Sequence, residues 1–323
     1  MVPPLQDGSS RPLLSGVVVH WNGDDELLAL VESWPDDPRF ELLVVDNSRA
    51  AQGKISDNRV FKPKENLGFG GAVNAALELV DAPAILVLNS DARPAQGALE
   101  SLLEGLELHP DAAGLAPRLV SADGSTQHCW QLRPIPNLST LLLQSLMIPA
   151  GRGPKVEPPA GTAVEQPAAA ALVLKRSVLE EIGGFDEAFF PAWFEDVDLA
   201  RRLNRAGHQV IYWPAAAFEH SLGATVPKLG YGRFLWIYYR NLERYLRKHH
   251  SMVTAILARL LTAAAAAARI PWLAVRTPSR ASSRRDAARG LVGLLLGALT
   301  GWRLPLAIRR EIVDGRRAPE PRS

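Results

Sequence analysis

The sequence predicts an α/β protein built on a parallel, doubly wound sheet, and three observations carry that expectation. Apolar runs at Val17-Val18-Val19, Leu42-Leu43-Val44-Val45 and Ile85-Leu86-Val87-Leu88 have the length and continuity of strands buried on both faces. Stretches of helical spacing, residues 24–33 and 72–80, lie between them. Each run ends in polar residues: His20, Asp46, and Asn89-Ser90-Asp91. In open α/β sheets ligands bind beyond the carboxyl ends of the strands, so three strands aim polar groups at one crevice.

The elements follow in order. A strand over 16–21 and a helix over 24–33 come first, then a strand over 42–45 that turns at Asp46-Asn47-Ser48. A short strand near 59–62 precedes Asn66-Leu67-Gly68-Phe69-Gly70-Gly71 and its helix. The strand over 85–88 leads to Asp91 and to a helix starting near Pro94. Residues 113–120 read as a strand, 127–133 as an edge segment, and the Pro- and Gly-rich 149–166 as an exposed loop. A strand over 168–174 and a short helix capped by Ser177 and closed by Gly183-Gly184 come next. After a loop over 185–194 come a helix over 195–206 and a strand over 209–213, whose following loop delivers His220. An amphipathic helix over 231–250 closes a domain expected to span residues 14–250, and a helical tail fills 251–323.

With 323 residues, 47% hydrophobic and 22% charged, the chain can bury a full core. The lone Cys129 excludes an internal disulfide and any cysteine-based zinc site, and fits a reducing compartment. From Ser251 onward thirteen arginines face four acids, a charge of +9 that leaves −7 on residues 1–250. A basic, Ala/Leu-rich tail on an acidic body points to an anionic membrane surface. No nucleic-acid partner is expected, because no RNA-module motif accompanies the arginines. The first fifteen residues lack the apolar core of a leader. The tail's apolar segments, 255–268 and 291–302, read as too short to span a bilayer and as interfacial or packed helices. The expected location is the cytoplasm, peripheral on the inner membrane face.

Several residue types suggest chemistry, each with a plain structural alternative. Asp91 at the mouth of a buried strand suits Mg²⁺ or Mn²⁺, which prefer oxygen ligands, or it caps the next helix. Glu195 and Asp196 supply a general base or complement a helix dipole. Trp193 and Phe194 beside them offer an aromatic wall for a sugar. Asp46 accepts from a ribose or base, or is an ordinary turn residue. The Gly68-Phe69-Gly70-Gly71 turn cradles a phosphate at a helix N-terminus or simply enters the helix. His220 assists a metal or diphosphate, or is structural.

The series His20-Trp21-Asn22, Asp46-Asn47-Ser48, Asn66 through Asn74, Asn89-Ser90-Asp91, Gly183-Gly184-Phe185-Asp186, Phe194-Glu195-Asp196-Val197-Asp198 and His220 resembles family 2 glycosyltransferases over about 200 residues. Within them it is most similar to the bacterial rhamnosyltransferase branch. Asn89 stands where many members carry the first Asp of a DxD motif. The resemblance implies a GT-A fold, a nucleotide-binding half continuous with an acceptor-binding half. It implies inverting sugar transfer from a nucleotide sugar, dTDP-L-rhamnose by that branch, to a glycan or polyprenyl-diphosphate-linked acceptor; another hexosyl or galactofuranosyl donor stays open. Asp91 and His220 would hold Mg²⁺ or Mn²⁺. Asp196, with Glu195 as second choice, would be the base. His20, Asn22, Asp46, Asn66, Gly68, Gly70, Gly71, Asn74, Asn89 and Asp91 would line the donor site, and Trp193 and Phe194 the acceptor site. A non-catalytic carbohydrate- or membrane-binding homologue is the remaining alternative. A nucleotide-sugar dehydrogenase is excluded, because His20-Trp21-Asn22 follows the first strand instead of a glycine fingerprint.

Overall fold

The computed structural model describes residues 11–22, 24–48, 59–221 and 229–302. Its strands are β1 (Leu14–His20), β2 (Phe40–Asp46), β3 (Arg59–Phe61), β4 (Ala84–Asn89), β5 (Ala92–Pro94), β6 (Gly114–Val120), β7 (Leu132–Arg133), β8 (Ala163–Val164), β9 (Gln166–Pro167), β10 (Ala171–Lys175) and β11 (Val210–His220). Its helices are α1 (Asp24–Ser33), α2 (Gly68–Leu77), α3 (Ala98–Leu108), α4 (His128–Gln131), α5 (Leu138–Ser145), α6 (Arg176–Glu181), α7 (Glu195–Arg205), α8 (Tyr231–His249), α9 (Met252–Trp272) and α10 (Arg284–Thr300). The main sheet runs β3-β2-β1-β4-β10-β6-β11-β5, with β8 beside β11. Its first four strands are parallel, as expected of a doubly wound half. Past β4 the sheet is mixed, because β10 runs antiparallel to both β4 and β6.

Period-two geometry sends alternate residues of the apolar runs to opposite faces. Val18, Val44, Leu86 and Leu88 meet α1 and α3 on one side through Leu27, Leu30, Leu99 and Leu102. Val17, Val45, Ile85 and Val87 meet α2 and α7 on the other through Val73, Ala76, Leu199 and Leu203. Both faces are covered, so the strands are uniformly apolar rather than alternating.

Several local expectations change. No helix starts near Pro94. The chain first forms β5, and Gly97, with φ +77°, precedes α3 without a side-chain cap. Asp91 therefore caps no helix. Ser177 lies inside α6, and Lys175 occupies the N-cap. β11 does not stop at Trp213 but continues through a bulge to His220, which a strand rather than a loop delivers. The edge segment 127–133 is a turn of helix plus β7, paired to β9.

The boundary expected at residue 250 falls in the sharp turn between α8 and α9. The helices beyond it are longer than the expected segments. α9 has 21 residues and a mean hydropathy of 1.6 over its apolar window, long and apolar enough to cross a membrane by composition alone. It packs on the protein through small residues, Ala255, Ala258, Thr262, Ala263 and Ala266. In α10, Leu291, Leu294 and Ala298 are buried against α8 and α9 with Trp236 and Ile237.

Candidate active site

Register places the polar strand ends side by side. His20 pairs with Asp46 across β1 and β2, and Val19 pairs with Asn89 across β1 and β4. The antiparallel β5–β11 pair sets Ala92 opposite His220, which brings Asp91 to that histidine. His220 Nε2 lies 3.6 Å from Asp91 Oδ1.

A second set of contacts fixes the protonation of His220. Gln127 Nε2 donates to the His220 carbonyl at 2.8 Å, so its Oε1 faces the ring and accepts from His220 Nδ1 at 2.8 Å. Nδ1 therefore carries the ring proton. Burial lowers the His220 pKa to about 4, so the ring is neutral and Nε2 presents a lone pair toward the Asp91 carboxylate. A carboxylate oxygen and an imidazole lone pair facing each other fit a divalent cation better than they fit one another. Trp130 stacks on the ring at 5.4 Å and holds its plane. Among the described residues no group of three or more His, Cys, Asp or Glu side chains surrounds such a point, so these two would share a cation with a bound nucleotide and water.

Asp46 is buried. Its Oδ1 accepts from the Ser48 N–H at 3.0 Å and the Ser48 hydroxyl at 2.6 Å. Its Oδ2 is buried with no hydrogen-bond partner among the described residues and can accept from a ligand hydroxyl or N–H. His20, its register partner on β1, is fully buried, and Asn22, with φ +58°, is exposed.

The glycine segment has a different reason for its composition. Gly68 has φ +70°, and a Cβ there would lie 2.8 Å from Phe190 Cδ2 and 3.1 Å from Pro191 Cα. Asn66 Oδ1 accepts from the Gly68 N–H, and Asn47 Nδ2 donates to the Gly68 carbonyl. A Cβ on Gly70 would press on Phe185 and one on Gly71 on Leu67. Asn74 spends its amide on the same loop, donating to the Phe185 carbonyl and Glu187 Oε1 while accepting from the Phe185 N–H. These residues seat α2 against the 185–191 loop. Close packing, rather than a phosphate cradle, explains the glycines and Asn74.

That loop leads to the acidic pair. Trp193 and Phe194 both have positive φ, +69° and +73°. Asn241 of α8 is fully buried and donates toward the carbonyls of Phe189, Ala192 and Trp193 at 3.1, 2.8 and 3.0 Å. Phe194 is only 5% exposed, between Tyr238 and Tyr245, so it supports the loop and cannot offer a face to a sugar. Trp193 is half-buried and edge-on to Phe234.

Glu195 and Asp196 open α7 with different surroundings. Burial raises the Glu195 pKa well above the usual carboxylate value, the neighbouring Asp196 charge raises it further, and Oε2 has no hydrogen-bond partner among the described residues. Burial also raises Asp196, but the Arg133 guanidinium 3.8 Å away and backbone N–H groups oppose that rise. Gln166 Nε2 donates to Asp196 Oδ2 at 3.3 Å. Both carboxyls are thus raised, Glu195 the more strongly, so Glu195 is the partner that favours its protonated form. Asp198 is sewn into the scaffold. It meets Arg202 Nε at 2.8 Å, Lys248 Nζ at 2.7 Å and His249 Nε2 at 2.7 Å, joining α7 to α8.

One bridge was not legible in the sequence. Gln127 and Trp130 touch His220, while Arg133, six residues from Gln127, reaches Asp196. A short segment with no local motif thus fixes the Asp91–His220 pair relative to the acidic pair. Cys129 within it donates to the Pro154 carbonyl at 3.0 Å and points away from the chemistry.

A mixed sheet with four parallel leading strands, Asp91 beside His220 beyond them and an acidic pair opening α7 have the architecture of a GT-A fold. Residues 15–170 match the family model for glycosyl transferase family 2. It is 28% identical over 209 residues to N-acetylglucosaminyl-diphospho-decaprenol L-rhamnosyltransferase of Mycobacterium tuberculosis, an alignment covering 55% of this chain and 66% of that protein. It is 32% identical over 189 residues to the pre-mycofactocin glycosyltransferase of the same organism, covering 56% of this chain and 37% of that one. The chain thus spans just under two thirds of the first relative and little over a third of the second. The fold is similar to that of the mannosyltransferase PcManGT from Pyrobaculum calidifontis in complex with GDP-Man and Mn2+, with TM-score 0.50 and 17% identity over 91% of this chain and 89% of that one.

Proposed function

We propose that the protein is an inverting transferase that moves a sugar, L-rhamnose in this reading, from a nucleoside diphosphate to a hydroxyl of a glycan or polyprenyl-diphosphate-linked acceptor. The observation that carries it is the joint placement of Asp91–His220 and Asp196 by the 127–133 segment. Asp46 Oδ2 receives a donor group of the nucleoside, and Asn22, Asn66 and Asn89 border the pocket. The acceptor hydroxyl approaches along Trp193. Asp196 takes its proton as the acceptor oxygen bonds to the anomeric carbon and the bond to the diphosphate breaks. Burial and the neighbouring charge raise the Glu195 pKa well above its usual value, which favours the protonated form and lessens the negative charge beside that base. Asp91 and His220 would hold Mg²⁺ or Mn²⁺, which supplies neutralisation of charge on the departing diphosphate.

The named activity of the rhamnosyltransferase relative supports the sugar and the lipid-linked acceptor. That acceptor class would suit an enzyme in the cytoplasm against the inner membrane face, with residues 14–250 as the catalytic domain and the helices after 251 as a layer upon it. The test uses purified full-length protein with dTDP-L-rhamnose and competing nucleotide sugars. Asp196→Asn should retain donor binding by thermal shift yet transfer at least about 100-fold more slowly. Asp91→Ala should lose Mn²⁺-dependent donor binding with an unchanged far-UV spectrum. Normal transfer by both variants would remove these residues from the chemistry, and Glu195→Gln behaving as expected for Asp196→Asn would exchange the two roles.

A further inference from the structure

Of the fifteen large apolar side chains exposed among the described residues, ten lie between Met252 and Leu299. On α9 they fall at Met252, Val253, Ile256, Leu257 and Leu260, one stripe at helical spacing that small residues continue toward Trp272. Val292, Leu296 and Leu299 of α10 are also exposed. The opposite faces of both helices are buried against α8, so neither helix is free to turn its stripe inward.

The corner joining α9 to α10 adds charge to this surface. Residues 269–289 hold six arginines and one acid, Asp286, whose carboxylate is engaged by Ser282. Arg276, Arg284, Arg285 and Arg289 are exposed there, beside Trp272 at 66% and Val275 at 73% exposure. A cavity of about 430 Å³ opens at the same corner between Tyr231, Arg269, Trp272 and Arg276. The corner also touches the acceptor side of the catalytic loop: the Arg280 guanidinium lies 5.3 Å over Phe234, whose ring meets Trp193 at 5.1 Å.

We propose that the exposed face of α9, with its arginine corner, is a docking surface for an anionic lipid bilayer, α9 lying in the membrane plane and the corner arginines receiving phosphate headgroups. Charge complementarity selects this occupant. A second copy docking on the same patch by two-fold symmetry would present an equally basic surface with too few acids to pair these arginines, whereas acidic headgroups neutralise them. Apolar stripe, interfacial Trp and flanking arginines are the composition of an interfacial helix. The orientation follows from the Arg280–Phe234–Trp193 contacts, because the cationic corner sits at the acceptor side. The inserting surface is not the buried Leu291–Ala298 stripe.

The membrane surface deepens the lipid-linked reading of the acceptor, and its test does not depend on catalysis. Full-length protein is sedimented with phosphatidylglycerol-containing vesicles and with pure phosphatidylcholine vesicles. Wild type should bind the first strongly and the second weakly. Arg276→Glu/Arg284→Glu/Arg285→Glu should weaken binding to the anionic vesicles about 100-fold and flatten its salt dependence. Leu257→Ser/Leu260→Ser should remove the part that survives high salt. All three proteins should show the same nucleotide-dependent thermal shift, since none of these residues touches the active site. Vesicle binding that is unchanged in both variants, equal binding to neutral vesicles, or a stripe that self-associates in light scattering without binding lipid overturns the proposal. Loss of sugar transfer with intact vesicle binding would instead count against the catalytic reading alone.

Discussion

Replacing Asp198 by Asn isolates the hub that ties the catalytic helix to α8. The side chain is fully buried and accepts from Arg202, Lys248 and His249 at 2.7–2.8 Å. Burial alone would raise its pKa, but hydrogen bonds from His249, Lys248 and Arg202 override that and lower it from 3.8 to about 2. A folded-state pKa below the unfolded value means the stabilisation is present above about pH 4 and is lost as pH falls through 2. The drop from 3.8 to about 2 corresponds to about 2.5 kcal/mol. Urea unfolding of the wild type should therefore lose about that much stability through this residue between pH 5 and pH 2. Asp198→Asn should lack that component and be about 3 kcal/mol less stable at pH 7, since the largely buried Arg202 is left without its carboxylate. Transfer should slow as well, because Asp196 stands half a turn away in the same helix. If the stability of wild type and variant falls by equal amounts between pH 5 and pH 2, the hub assignment is wrong.

Two further outcomes follow from the site. Gln127→Leu removes the acceptor that fixes the His220 tautomer, and should weaken Mn²⁺-dependent donor binding about 10- to 100-fold in a metal titration; unchanged affinity would detach His220 from the cation. The acid limb of the pH–rate profile belongs to Asp196, whose pKa burial raises, so activity should fall with decreasing pH at a point above the ordinary carboxylate range. A limb at the ordinary Asp value, or one unaltered by Asp196→Asn, would refute that.

The parallel half of the sheet was legible because burial on both faces leaves an uninterrupted apolar signature, and the polar residues closing β1, β2 and β4 stand where the runs end. The chemistry of Asn74, Phe194 and Gln127 was not legible, since each is decided by a partner far along the chain. Asn74 reads as a donor-site amide until Phe185, 111 residues away, occupies it. Phe194 reads as a sugar platform until Tyr238 and Tyr245 enclose it. Gln127 belongs to no motif, and only β11 running on to His220 gives it a role. Within α9 the sequence shows only a short apolar segment, 255–268, because Arg259 interrupts the pattern, yet Arg259 turns toward Glu243 at 3.8 Å and the helix runs unbroken from Met252 to Trp272.

Asn241 has a mechanical consequence. One buried amide grips three successive stations of the loop that ends at Glu195, so α8 and that loop move as a single lever. Mounted on a bilayer by α9 and α10, such a lever would hold the base at a set height above the headgroups. Height then becomes a selection rule: an acceptor sugar is reached only if its own linker spans that gap, and glycans too short or too long would be passed over without any contact that reads their identity.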